Sequence, residues 1–210
     1  LRSVSVYRPA YYHETNSAVV KPRCRIGEDG GLEWVRLTER DATELKREVE
    51  TGAILERLLR TDYWVRRLPR AYERSALYWS STMRMLDSVR ENSGRDPCGY
   101  YLDAQSEPYR VSRAILKRFH EDALRNGAGR VVVLFFPDEA ALYALSAGQA
   151  RCWSGFLRDL SGEGVESLDL TDVLLEAFRA IGPRALFADN HYSARGNAIV
   201  AEAIRRRLFP

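Results

Sequence analysis

A carboxylate two residues from an imidazole is the arrangement in this sequence best suited to chemistry. It lies in Ala185-Leu186-Phe187-Ala188-Asp189-Asn190-His191-Tyr192-Ser193-Ala194-Arg195-Gly196-Asn197, which runs on into the apolar-striped stretch 198–204. An imidazole titrates near neutrality and can take a proton from a nucleophile. A nearby carboxylate can hold the ring in one tautomer and stabilise the imidazolium. Histidine is scarce, with His13, His120 and His191 the three present. His191 is the one framed between a short apolar run and a helix start that Ser193 can cap.

Other residues compete for attention. Asp169 ends a strand-like segment just before Thr171 and reads first as a helix-capping or loop-anchoring carboxylate. His120, beside Glu121 on a helix flank, reads as solvated, and Trp153 and Phe156 read as core. Cys24, Cys98 and Cys152 are odd in number and lack Cys-x-x-Cys spacing, so no zinc site is expected and any disulfide leaves one thiol over.

These residues have to be positioned by regular elements. Residues 3–7 alternate as a strand, and a polar, aromatic loop over 8–17 carries His13, Asn16 and Ser17. Segments 21–26 and 32–37 flank an Asp-Gly turn and predict a hairpin. Thr38 can cap an acidic helix start, with Ala42, Leu45, Val49 and Ile54 as its apolar positions. The stretch 50–92 is rich in Leu, Tyr, Trp and Arg at helical spacing, with Pro69 as a break; it reads as a pair of amphipathic helices with Arg on the wet face. Its part 57–79 is also the basis of a different reading, a membrane-surface or partner-binding module. Residues 91–105 read as loop.

From there the pattern is regular. Ser106 caps a helix to about Asn126, with Val111, Ile115, Phe119 and Ala123 on one face and Gly127 as its stop. Val131-Val132-Val133-Leu134-Phe135-Phe136 is apolar throughout, as a strand buried on both faces would be, and Pro137 ends it. A helix over 148–161, a strand over 165–170, a helix from Thr171 to about Ala180 and the Asp-His stretch complete the chain. Strand–helix–strand–helix order predicts an α/β fold with right-handed crossovers on a parallel sheet. In such sheets functional groups gather beyond the carboxyl ends of strands, and the loops 8–17, 137–147 and 188–193 qualify.

Composition sets the outer bounds. A chain of 210 residues suits one domain with a sizeable core, and its net charge of +3 is small. The basic residues are almost all Arg, Lys standing only at 21, 46 and 117; codon usage explains such a bias as readily as a need for guanidinium, so no nucleic-acid partner is read from it. No run of about eighteen apolar residues is present and no signal peptide is read, so a soluble domain is expected. The chain starts at Leu1 rather than Met, directly before a strand-like run, and a partial chain is expected.

The block Phe187-Ala188-Asp189-Asn190-His191-Tyr192-Ser193-x-x-Gly196, followed by an Ala-rich amphipathic helix, resembles the last signature block of the SGNH (GDSL-type) hydrolases. The upstream order of helix, Val-rich strand ending in Pro, helix, Leu168-Asp169-Leu170 strand and helix is similar too. So are Val4-Ser5-Val6-Tyr7, the loop to Asn16, Lys21-Pro22-Arg23 and the Gly-rich hairpin, which resemble that superfamily's oxyanion block. Residues 38–105 match poorly and are read as a helical, aromatic-Arg insert within a single partial domain spanning 1–210.

The resemblance implies a three-layer parallel sheet flanked by helices, SGNH/flavodoxin-like, without its first strand. It implies acyl transfer, with His191 as base, Asp189 as its orienter, and His13 or Asn16 as the oxyanion donor. No Gly-x-Asn-Asp, Gly-Asp-Ser or Gly-x-Ser-x-Gly occurs here, and Ser17 sits in no nucleophile-like turn; the nucleophile is expected on a segment outside this chain. A small acyl ester or acylated saccharide is the implied substrate, without metal or organic cofactor. The competing expectation is a non-catalytic α/β binding domain descended from such an enzyme. A sheet lacking its first strand would need its edge covered by a partner, a second copy or the 38–105 insert.

Overall fold

The computed structural model describes residues 23–35, 42–61, 80, 82, 98–189 and 191–209. The expected strand 3–7, the loop with His13, Asn16 and Ser17, the Thr38 cap and nearly all of 62–97 lie outside the described residues. The fold is mixed α/β, with many helices and few, short strands. The chain divides into two compact units, one of Leu1–Asp96 with Asp103–Ile115, the other of Pro97–Leu102 with Leu116–Pro210.

In the first unit, β1 (Arg23–Ile26) and β2 (Leu32–Val35) form the expected antiparallel hairpin, with Cys24 opposite Trp34 and Arg25 opposite Glu33. Asp29 accepts from the Gly31 N–H at 2.9 Å and Gly30 takes φ 79°, so the turn uses its Asp-Gly pair as the residue types predict. The next segment is two helices rather than one, α1 (Ala42–Thr51) and α2 (Ala53–Thr61). They separate at Gly52, whose φ of 81° is left-handed and cannot continue a helix. Ile54 and Leu58, four residues apart on α2, are buried.

In the expected loop 91–105 the described residues from 98 on include a helical turn, α3 (Gly99–Leu102), and α4 follows over Glu107–Arg125 with Gly127 beyond its end at φ 91°. The Ser106 hydroxyl accepts from the Tyr109 N–H at 3.4 Å, as the capping pattern anticipates. Val111 is buried, whereas Phe119 is 62% exposed. A strict fourth-residue row turns by about 40° per step against a 3.6-residue helix, so Phe119 has rotated off the face that Val111 defines.

The second unit holds the parallel pair β3 (Val133–Phe135) and β4 (Ser167–Asp169), in register Val133–Ser167, Leu134–Leu168 and Phe135–Asp169. Strand β3 is shorter than its apolar run, and that run is not buried on both faces: Leu134 is 37% exposed and Phe136, just past the strand, 47%. Among the described residues β3 pairs only with β4. The side carrying Phe135 is covered by Trp153 and Tyr101, and the alternate residues stay partly open.

The expected loop 137–147 is instead α5 (Glu139–Ser146), whose first turn is capped by Asp138 accepting from the Ala141 N–H at 2.8 Å. A cap followed by an Ala- and Leu-rich run outweighs the breaking effect of Pro137, which lies before the helix. Helix α6 starts later than expected and spans Ser154–Gly162. Helix α7 (Thr171–Ile181) ends at Gly182 with φ 77°, and α8 (Pro183–Leu186), β5 (Phe187–Ala188), β6 (His191–Tyr192) and α9 (Ala194–Leu208) follow.

Leu142, Leu170, Leu174, Phe178, Leu186, Phe187 and Ala203 form the core between α5, α7, α8 and α9. A second cluster sets Tyr101 against Phe135, Trp153 and Phe156, with Trp153 and Phe156 buried as expected. Beside it the disulfide Cys98–Cys152 ties α3 to the segment before α6. Cys24, the remaining cysteine, is buried. Disulfides persist mainly in oxidising surroundings. No described helix is long and apolar enough to cross a membrane.

Candidate active site

The Asp-His stretch forms a tight hairpin. Phe187 lies opposite Tyr192 and Ala188 opposite His191. Beyond Ala188 the chain bends through Asp189, whose φ of 49° is left-handed, a conformation Asp tolerates better than most side chains. The imidazole of His191 is exposed, with Nδ1 2.9 Å from the main-chain carbonyl oxygen of Asp189. A carbonyl only accepts, so Nδ1 carries the proton of this bond and the neutral ring keeps its lone pair on Nε2. The Asp189 carboxylate makes no hydrogen bond or ion pair to His191 among the described residues.

The residues after the hairpin fix it to the unit. Ser193 donates its N–H to the Leu186 carbonyl at 2.9 Å and its hydroxyl to the Ala185 carbonyl at 2.6 Å. The same hydroxyl accepts from the Gly196 N–H at 3.1 Å, capping α9 as expected. Asn197 Nδ2 donates to the Tyr192 carbonyl at 3.1 Å. Gly196 is buried with no room for a larger residue: a β-carbon there would clash with the Leu186 carbonyl and lie 3.0 Å from the Tyr192 ring.

From the other side, the Tyr192 hydroxyl donates to the Pro137 carbonyl, just past the carboxyl end of β3. Its ring packs on Phe187 at 4.7 Å between centroids and edge-on to Phe136 at 5.8 Å. His191 therefore belongs to a hairpin anchored beside the carboxyl end of a parallel strand, where ligands of such sheets bind. Burial, then the negative charge of Asp138, pushes the Tyr192 hydroxyl pKa well above its ordinary value. The same two causes in the same order raise that of Tyr101.

Asp169 acts as the anchor its position before Thr171 suggests. One oxygen accepts from the Thr171 N–H at 2.9 Å and from its hydroxyl, and the other meets Arg151 at 3.1 Å. Arg151 also bonds Asp172 at 2.5 Å, so the carboxyl end of β4 and the start of α7 are clamped together. His120 lies near enough to Glu166 to help lower that carboxyl's pKa, after the larger effect of the hydrogen bond from Arg130.

His13 and Asn16 lie outside the described residues, as does Ser17. No described serine is hydrogen-bonded to His191, and Ser193 is committed to its cap. No group of three potential metal ligands occurs among the described residues. Residue types alone did not single out the tie from Tyr192 to Pro137, or Asp138. For Asp138 a signal existed, since Pro-Asp followed by Glu-Ala-Ala is a helix-start pattern. The class defined by these elements is a mixed α/β unit with a histidine hairpin beside a parallel strand pair. No known protein-family model, curated protein or solved structure matches the chain.

Proposed function

We propose that this chain is part of an ester hydrolase or acyltransferase of SGNH type, with His191 as its general base. The observation that carries the reading is the Nδ1 contact of His191 to the Asp189 carbonyl, which leaves Nε2 open on an exposed hairpin. In the proposed reaction a serine on a segment outside this chain attacks the ester carbonyl carbon, and Nε2 of His191 takes its proton. The tetrahedral oxyanion is held by His13 or Asn16. Collapse breaks the ester bond, His191 returns the proton to the departing alkoxide, and water or an acceptor alcohol releases the acyl group by the same steps.

Asp189 orients the ring through its main-chain carbonyl. The substrate class is a small acyl ester, including O-acyl groups of saccharides, and the mechanism calls on no metal or organic cofactor. In this reading β3 and β4 belong to a larger parallel sheet in three layers, its edge covered by another segment or a second copy. The partial exposure of Leu134 and Phe136 supports that extension.

One observation favours a second reading, a non-catalytic binding domain of the same descent: the Asp189 carboxylate stands apart from the imidazole. Turnover of a chromogenic acetyl ester by full-length protein decides between them. The enzyme reading expects a rate that collapses in His191→Ala, and a variant with the wild-type rate removes His191 as base. Binding of an O-acetylated saccharide without turnover, equal in both proteins, supports the second reading.

A further inference from the structure

We infer that Tyr192 is the positioning residue that sets the orientation of the His191 imidazole, acting through its hydroxyl bond to the Pro137 carbonyl. The inference rests on the proposed role of His191 as base and adds the device that holds it.

The hairpin carrying His191 has only two residues in each strand, so its own ladder holds it weakly. Its root is tied by Ser193 to the main chain of Ala185 and Leu186. That tie lies on the α8–α9 side. The hydroxyl bond of Tyr192 to Pro137 reaches instead to the end of β3, 55 residues away in sequence. It is the long-range polar contact among the described residues that joins this hairpin to the parallel strand pair. Tyr192 immediately follows His191 in β6, so a shift of its ring moves the His191 backbone with it. The contact between Nδ1 and the Asp189 carbonyl spans the turn of the same hairpin and needs both ends in place. The hydroxyl is a donor at neutral pH as any tyrosine is, and burial, then the charge of Asp138, raises its pKa further. The ring contacts of Tyr192, to buried Phe187 and half-open Phe136, remain available to a phenylalanine, so Tyr192→Phe tests the hydroxyl tie rather than loss of the whole side chain.

The test replaces only the hydroxyl. With ¹⁵N-labelled histidine, the His191 signals are assigned by their loss in His191→Ala, and the tautomer is read above the imidazole pKa. Wild type is expected in the Nδ1–H form. In Tyr192→Phe the signals move toward the tautomer mixture of free imidazole. In ester turnover by full-length protein, kcat falls by about tenfold or more with KM within about twofold, as for a misplaced base. 4-Aminophenylalanine at position 192 keeps the ring and returns a donor, and it restores both readouts. Unchanged tautomer and kcat in folded Tyr192→Phe overturn the inference. Should that variant unfold, the 4-amino variant decides alone: wild-type tautomer sustains the inference, and the free-imidazole mixture in folded protein overturns it. Absence of ester turnover in wild type counts against the enzyme reading and leaves the tautomer shift as the measure of positioning.

Discussion

The Nδ1 atom of His191 lies 2.9 Å from the main-chain carbonyl oxygen of Asp189, and the Asp189 carboxylate takes no part in that contact. The residue type at position 189 therefore matters less for the ring's tautomer than the backbone conformation it supports. Asp189→Asn keeps a side chain suited to φ 49° and keeps the carbonyl. Ester turnover by full-length protein is expected to stay within about tenfold of wild type. Loss of an orienting carboxylate costs about 10⁴-fold in a serine protease triad. A drop of that size in Asp189→Asn assigns the work to the carboxylate instead.

Gly196 has a steric rather than a conformational reason to be glycine. Its φ is not positive, but its α-carbon faces the Leu186 carbonyl and the Tyr192 ring. Gly196→Ala is expected to destabilise the second unit by about 1–3 kcal/mol through overpacking. Thermal denaturation should show a melting temperature several degrees lower. An unchanged melting temperature shows that α9 can move aside at no cost.

The Cys98–Cys152 disulfide closes a separation of 54 residues beside the Tyr101, Phe135, Trp153 and Phe156 cluster. Cross-linking a chain over such a span restricts the unfolded ensemble and contributes about 2–4 kcal/mol. Denaturant titration with and without a dithiol reductant is expected to differ by that amount. Cys98→Ser should match the reduced protein and show no further response to reductant; equal midpoints in all samples refute a stabilising role.

Glu202 accepts from Arg205 at two positions, both 2.8 Å, and from Arg206 at 2.6 Å on the exposed face of α9. Hydrogen bonds from Arg205 and then Arg206 lower its carboxyl from 4.5 to about 2. A depressed carboxyl pKa gives a contribution present above the ordinary value and lost as pH falls through the folded one. For Glu202 that window runs from 4.5 down to about 2. An NMR titration is expected to place the Glu202 side chain near the bottom of this range. In the double variant Arg205→Ala, Arg206→Ala it returns to the ordinary range, and a midpoint insensitive to both substitutions refutes the cause.

Local patterns that depend on neighbours in sequence were legible without coordinates. The Asp29-Gly30 turn, the helix started by Ser106 and stopped by Gly127, the Ser193 cap and the Asp169 anchor before Thr171 each need only a few residues and a known backbone preference. What depends on packing was not. The apolar run 131–136 predicts burial on both faces, but how many neighbours a strand has is set by residues far away in the chain. Helix α5 follows Pro137 directly, and its Asp138 cap and Ala- and Leu-rich run were the local signals that outweigh the proline.

For the site itself, sequence by itself determined that an imidazole and a carboxylate stand two residues apart between a short apolar run and a capped helix start. Tertiary structure decided which atom of Asp189 meets the ring. Asp189 is left-handed, its carbonyl meets Nδ1, and the pairing of Ala188 with His191 closes the hairpin around that contact. It also decided where the hairpin sits. The bond from Tyr192 to Pro137 spans 55 residues, and no local preference encodes a contact that only the packed chain brings together.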